Sequence, residues 1–135
     1  MMIKKEMKDL VHLVPKFNNV QIRFGKKAVK RLGSIREMLK ESDISNNFNT
    51  LILINGHFKD KQIPDYVVDA TIAHELCHYA QGFASPLPQL SPYPHKGGKV
   101  DRELEKRGLG KLIRNEQVWL NSNWIKYLSE KMSER

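Results

Sequence analysis

The sequence has little sulfur and no long apolar run. Cys77 is the only cysteine among 135 residues, which excludes both a disulfide framework and a four-cysteine zinc site. A single thiol suits a reducing compartment, so we expect a cytoplasmic protein in which Cys77 is a small buried side chain. No stretch approaches the length of a membrane span, and the charges scattered among the first apolar residues lead us to expect no signal peptide. The length fits one domain, residues 1 to 135.

Acidic residues are also scarce relative to basic ones. The chain has 23 lysines and arginines against 15 aspartates and glutamates, a formal net charge of +8. A positive surface favours polyanions, because cationic side chains release the counterions condensed on phosphate backbones. The basic residues are spread along the chain, so a solubilising surface and a nucleic-acid face both remain open. The predicted partners are a protein or peptide substrate, with nucleic acid as a second candidate and no membrane.

Hydrophobic periodicity predicts a mixture of strands and helices. Strict alternation predicts a strand over residues 20–24, and the apolar run over residues 50–54 predicts a buried strand. Residues 31–40 fit either a helix, which the periodicity slightly favours, or a strand. The predicted helices are residues 3–14, Pro64 to Gly82, Val100 to Gly108 and 115–132. These elements predict an α+β chain without internal repeats.

One motif points to metal chemistry. Residues 74–78 read His-Glu-Leu-Cys-His, the pattern H-E-x-x-H, on the helix predicted from Pro64 to Gly82. Residues four apart share a helical face, so His74 and His78 can bind one zinc ion. Glu75 lies beside them, where it can take a proton from zinc-bound water. The helix is apolar around most of its circumference, where unpartnered imidazoles are costly, and this favours a metal site over a chance match.

A catalytic zinc ion needs a third protein ligand. His95 is the preferred candidate, because it follows a proline-rich loop and precedes Gly97-Gly98, which would let the backbone pass close to the metal. Glu103 and Glu105 are the alternatives, since carboxylates also bind zinc, although they fall in a mixed-charge segment. The predicted metal ligands are therefore His74, His78 and His95, with Glu75 as the catalytic base.

The pattern resembles the SprT-like zinc metallopeptidases, the group that includes the Spartan-type DNA–protein crosslink proteases. The resemblance covers about residues 18 to 110. The residues that carry it are Pro64, the run Ile72 to His78, His95, Gly97, Gly98, Val100, Leu104 and Gly108. It implies a zincin-like fold, in which a small three-stranded antiparallel sheet packs on the H-E-x-x-H helix between flanking N- and C-terminal helices. It also implies that residues 31–40 are a strand.

The functional hypothesis is a zinc-dependent metallopeptidase. In this hypothesis Glu75 activates a zinc-bound water that hydrolyses the peptide bond. The alternative from another class is a basic nucleic-acid- or protein-binding module whose zinc site is structural or vestigial.

Overall fold

The sheet comes first in the part of the chain that the structure describes. This computed structural model describes residues 19–38, 49–81 and 98–133, and the helix predicted at residues 3–14 lies outside them. The three strands are β1 (Asn19–Phe24), β2 (Gly33–Met38) and β3 (Asn49–Ile54). The strands predicted at residues 20–24 and 50–54 are confirmed. Residues 33–38 form a strand, so the helix that periodicity slightly favoured there is wrong.

The most apolar strand, β3, lies in the middle of the sheet, whose order is β1-β3-β2. It pairs antiparallel with β2 but parallel with β1. The expected antiparallel sheet is therefore wrong for one of its two strand pairs, and the sheet is mixed. The side chains of Leu51, Ile52 and Ile54 are all buried. A strand that is apolar on both faces is favoured at the centre of a sheet. Strand β3 therefore lies between β1 and β2, which form the two edges of the sheet.

Four α-helices follow the sheet among the described residues. They are α1 (Asp65–Ala80), α2 (Lys99–Lys106), α3 (Gly110–Trp119) and α4 (Ile125–Ser133). A 3₁₀ turn precedes α1, and a π-helical segment, Leu120–Trp124, joins α3 to α4. The helices predicted from Pro64 and from Val100 are confirmed, with ends shifted by one or two residues. The helix predicted at residues 115–132 starts earlier, at Gly110, because Gly108 (φ +80°) ends one helix and a new one begins almost at once.

Helix α1 lies at the centre of the packing. It contacts β2 and β3 on one side and α2 and α3 on the other. The core that results includes Ile52 from the sheet, Val67 and Leu76 from α1, and Leu104 from α2. The α+β class is thus confirmed. None of the helices in the described part of the chain is long and apolar enough to cross a membrane.

Glycine at position 33 allows β2 to approach α1 closely. A Cβ atom added there would lie 2.8 Å from Thr71 Cγ2 and 3.3 Å from the carbonyl oxygen of Leu53. Both distances are shorter than ordinary van der Waals contact, so any larger residue would push the strand away from the helix. The close approach places residues 32–35 opposite the H-E-x-x-H motif.

Candidate functional site

Helix α1 carries the H-E-x-x-H motif in its last two turns. Pro64 precedes the helix in an extended conformation (φ −61°, ψ 146°), and Asp65 places a carboxylate in the first turn, where the helix dipole favours it. Most of the helix is buried, because the sheet covers one side and two other helices cover the other. The polar side chains of the motif are therefore held within the protein.

The two histidines lie side by side. Their Nε2 atoms are 3.1 Å apart, and the rings meet edge-on at 79°. His78 is only 4% exposed, whereas His74 is half-buried. Two nitrogen ligands of one zinc ion, each bound at about 2.0 to 2.1 Å, stand about 3.1 to 3.4 Å apart. The pair thus has the spacing that a shared ion requires, and without an ion the same distance suits a hydrogen bond between the two rings.

Glu75 is buried between α1 and β2. Its side chain is 7% exposed, and its Cγ atom would lie 3.4 Å from a Cβ at Gly33. Burial raises the pKa of Glu75 to about 7, while the positive charge of Arg31 acts in the opposite direction. A carboxyl group with a pKa near neutrality can both accept and return a proton at physiological pH. Glu75 therefore has the properties of an acid–base group.

The motif opens onto a cleft of about 670 Å³ between β2 and the helices α1 and α3. His74, Glu75 and His78 line it from α1, residues 32–35 line it from the β2 side, and Glu116 lines it from α3. This volume falls within the range of ligand-binding sites, about 300 to 1,000 Å³. The three motif side chains therefore line one cleft.

The third metal ligand predicted from the sequence, His95, lies outside the described residues. Glu103 and Glu105 lie within them but are not part of the cleft. Glu103 forms an ion pair with Arg107, and Glu105 forms one with Arg114. Within residues 19–38, 49–81 and 98–133, no three His, Cys, Asp or Glu side chains come close enough to hold one ion. The two glutamates therefore do not join the histidine pair.

Sequence reasoning missed a buried carboxyl group, that of Glu116. It is 6% exposed, and its Oε2 atom lies 3.1 Å from Thr71 Oγ1 on α1. Burial raises the pKa of Glu116 to about 7; the hydrogen bond from Thr71 opposes the rise, and the charge of Asp101 adds to it. The spacing of residues along α3 contains a signal that predicts the burial of Glu116. Leu109, Ile113 and Glu116 recur at helical spacing, so Glu116 occupies a position of the apolar stripe.

A smaller cavity of about 170 Å³ is lined by the same carboxyl group. It is also lined by His74 and Asp101, together with apolar side chains of α2 and α3. Glu116 thus lines both the main cleft and the smaller cavity, as His74 does. Its charge state therefore affects the electrostatic potential in both.

Cys77 lies within the motif but not in the cleft. Its side chain is fully buried, and its Sγ atom lies 3.9 Å from the carbonyl oxygen of Val100. Burial raises the pKa of the thiol to about 12, so it stays protonated and unreactive at neutral pH. This burial agrees with the prediction that Cys77 acts as a small apolar side chain.

Comparisons of the chain with protein-family models, with curated proteins and with solved structures found no match. The site is therefore defined by its own geometry. It consists of two imidazoles at metal-ligand spacing, a buried carboxyl group next to them, and a cleft that all three line.

Proposed function

We propose that this protein is a zinc-dependent metallopeptidase of the SprT-like type. The observation that carries the proposal is the 3.1 Å separation of the Nε2 atoms of His74 and His78, next to a buried carboxyl group at an open cleft. Two neutral imidazoles are a common pair of zinc ligands, and a third ligand leaves one position for water or substrate. In the proposal His95 is that third ligand.

The donor set fits zinc rather than a harder ion. Magnesium and calcium prefer oxygen ligands, whereas imidazole nitrogen suits zinc and other transition metals. When bound in such a site, zinc polarises the scissile carbonyl group and makes a water molecule acidic. The burial of His78 and the packing of α1 hold the imidazoles in place, so little side-chain entropy is lost on binding the ion.

Glu75 acts as the general base. Its carboxylate takes a proton from the attacking water and then passes it to the nitrogen of the leaving amine. The raised pKa of Glu75 suits both steps, because the group must hold the proton briefly before releasing it. The positive charge of a bound metal would shift the carboxyl group towards its ionised form, which is the form that starts the reaction.

The cleft suits an extended peptide. Residues 32–35 line it, and β2 is an edge strand whose one pairing within the described sheet is with β3. An extended peptide can bind such an edge through main-chain hydrogen bonds, which accept many side-chain sequences. A substrate aligned on β2 would pass opposite Glu75, because Gly33 lies close to that side chain.

Purified Glu75→Gln tests the proposal most directly. We expect peptide or casein hydrolysis to fall by about 100-fold to 10,000-fold, the usual contribution of a general base. The zinc content should stay at about one ion per chain, because Glu75 is not a ligand. Hydrolysis by Glu75→Gln at the rate of the unsubstituted chain would refute the general-base role.

Three variants test which residues bind the zinc ion. His78→Ala and His95→Ala should lose both zinc and activity, whereas Glu103→Gln should keep both. Glu103 is the matched control, because it was the competing ligand on sequence grounds and forms an ion pair elsewhere in the structure. An unchanged zinc content in His95→Ala would show that another residue completes the site.

A second candidate, a basic binding module, is favoured by one observation. The connection between β1 and β2 places four cationic side chains, all exposed, within six residues: Lys26, Lys27, Lys30 and Arg31. Such a cluster can bind phosphate groups in a salt-dependent manner. DNA binding that survives Glu75→Gln, in a chain that hydrolyses no peptide, would favour this candidate over the peptidase.

A further inference from the structure

One of the four cationic side chains between β1 and β2 lines the cleft. Arg31 is the single lysine or arginine among the described residues that line the cleft. It lies just before β2, at the start of the edge along which a peptide would extend. It lines the same cleft as His74, Glu75 and His78. Arg31 is thus placed to meet a bound substrate.

The backbone at Arg31 is held firmly. Asn55, which is 4% exposed, donates from its side-chain amide to the carbonyl oxygen of Arg31 at 2.8 Å. The backbone amide of Asn55 donates to the carbonyl oxygen of the next residue, Leu32, also at 2.8 Å. Two hydrogen bonds from one buried residue therefore fix the point from which the arginine side chain extends. A side chain that starts from a fixed backbone loses less entropy on binding than one on a loose loop.

The guanidinium group of Arg31 is exposed and has no ion-pair partner in the described part of the chain. Arg107 and Arg114, in contrast, are each paired with a glutamate. An unpaired guanidinium group beside a cleft favours an anionic group there, because its planar array of N–H donors matches the two oxygens of a carboxylate.

We propose that Arg31 binds a carboxylate of the substrate, so that the cleft selects peptides with a negative charge near one end of the bound segment. This inference rests on the proposed peptidase function. The carboxylate is either an acidic side chain or the C-terminal carboxylate of the peptide, since both present the same pair of oxygens. A peptide is favoured over nucleic acid as its source, because the cleft is large enough for a short extended chain but not for a duplex.

Binding of labelled peptides to the zinc-loaded Glu75→Gln chain tests this role without hydrolysis. The first pair of peptides differs by Glu against Gln at one position, both with amidated C-termini. The second pair compares a free with an amidated C-terminus on the Gln peptide. We expect the carboxylate-bearing member of one pair to bind about two- to fivefold more tightly than its neutral partner, an amount typical of an exposed charge pair. The pair that shows the difference identifies the source of the carboxylate.

Two further variants, each made in the Glu75→Gln chain, show which residue is responsible for the preference for a carboxylate. Arg31→Gln should abolish the preference. Lys30→Gln should keep it, because it removes the same charge one residue earlier from a side chain that lines a different groove. Equal binding within both pairs, or a preference that survives Arg31→Gln, would overturn the proposal. So would an oligonucleotide whose binding depends on Arg31 more strongly than that of the acidic peptide.

Cleavage by the unsubstituted chain is measured separately. A chain that cleaves none of these peptides would count against the peptidase function, while the binding comparison would still decide the role of Arg31. Cleavage of all three peptides at one rate, with no difference in binding, would be compatible with the peptidase function but would show that Arg31 does not select the substrate.

Discussion

Replacement of Glu116 by glutamine should stabilise the protein above neutral pH. Thr71 Oγ1 lies 2.9 Å from the carbonyl oxygen of Val67 and 3.1 Å from Glu116 Oε2. Thr71 is placed to donate to either oxygen, and its donation to the ionised carboxylate is what opposes the rise in the pKa of Glu116. A hydroxyl group has one hydrogen, so when Glu116 is protonated Thr71 can donate to Val67 while the carboxyl group donates to Thr71. The amide of glutamine can make the same donation without ever carrying a charge. Glu116→Gln therefore imitates the protonated form of the side chain.

The size of the effect follows from the pKa of Glu116. A rise from 4.5 to about 7 corresponds to about 3 kcal/mol, at about 1.4 kcal/mol for each pKa unit. The folded-state pKa is the higher one, so the folded chain binds the extra proton. This stabilising contribution is complete below 4.5 and is lost as the pH rises through 7. The variant should equal the unsubstituted chain at low pH and exceed it by up to about 3 kcal/mol at pH 8.

Thermal unfolding of both chains across this pH range, with metal removed by a chelator, measures the difference. For a chain of this size about 3 kcal/mol corresponds to about 10 °C in Tm. Glu130→Gln is the matched control, because it makes the same substitution at an exposed position of α4 and should change Tm by less than about 2 °C at any pH. A difference for Glu116→Gln that does not vary with pH, or a loss of stability at pH 8, would refute the reasoning.

Three further outcomes follow from other parts of the structure. Gly33→Ala should lower the free energy of unfolding by about 1 to 3 kcal/mol in denaturant titrations, because its Cβ would clash with Thr71, and no loss would contradict the close approach of β2. Asn55→Ala should cost about 2 to 4 kcal/mol in the same assay, since it removes the side-chain bonds that hold Ala28 and Arg31. Zinc content in equilibrium dialysis should fall as the pH approaches about 5, because histidine must be neutral to bind the ion. Zinc retained in full at that pH would contradict ligation by imidazoles.

Local patterns were sufficient to predict the elements that hold the motif. The alternation of β1, the apolar run of β3 and the proline and glycine that flank α1 are properties of neighbouring residues. The positions of His74 and His78 on one face follow from helical geometry alone, and their 3.1 Å contact agrees with it. These features could be predicted because each depends on the spacing of residues within a single strand or helix.

Features that depend on distant packing could not be predicted in the same way. The spacing of Leu32 and Ile35 fits a helix, yet the chain forms β2 because Gly33 fits against Thr71, which follows far along the sequence. The parallel pairing of β1 with β3 joins residues 30 positions apart, such as Asn19 and Asn49. The sequence analysis made no prediction for Glu116, because its burial depends on which face of α3 packs against α1.

The π-helical segment, Leu120–Trp124, is joined to the connection between β1 and β2. The indole Nε1 of Trp124 donates to the carbonyl oxygen of Val29 at 2.9 Å, which ties this segment to the connection that also carries Arg31. A library of random variants screened for altered peptide preference should therefore include substitutions of Trp124. Loss of this hydrogen bond would free the connection that carries Arg31 and change the preference, while the histidine pair remained in place.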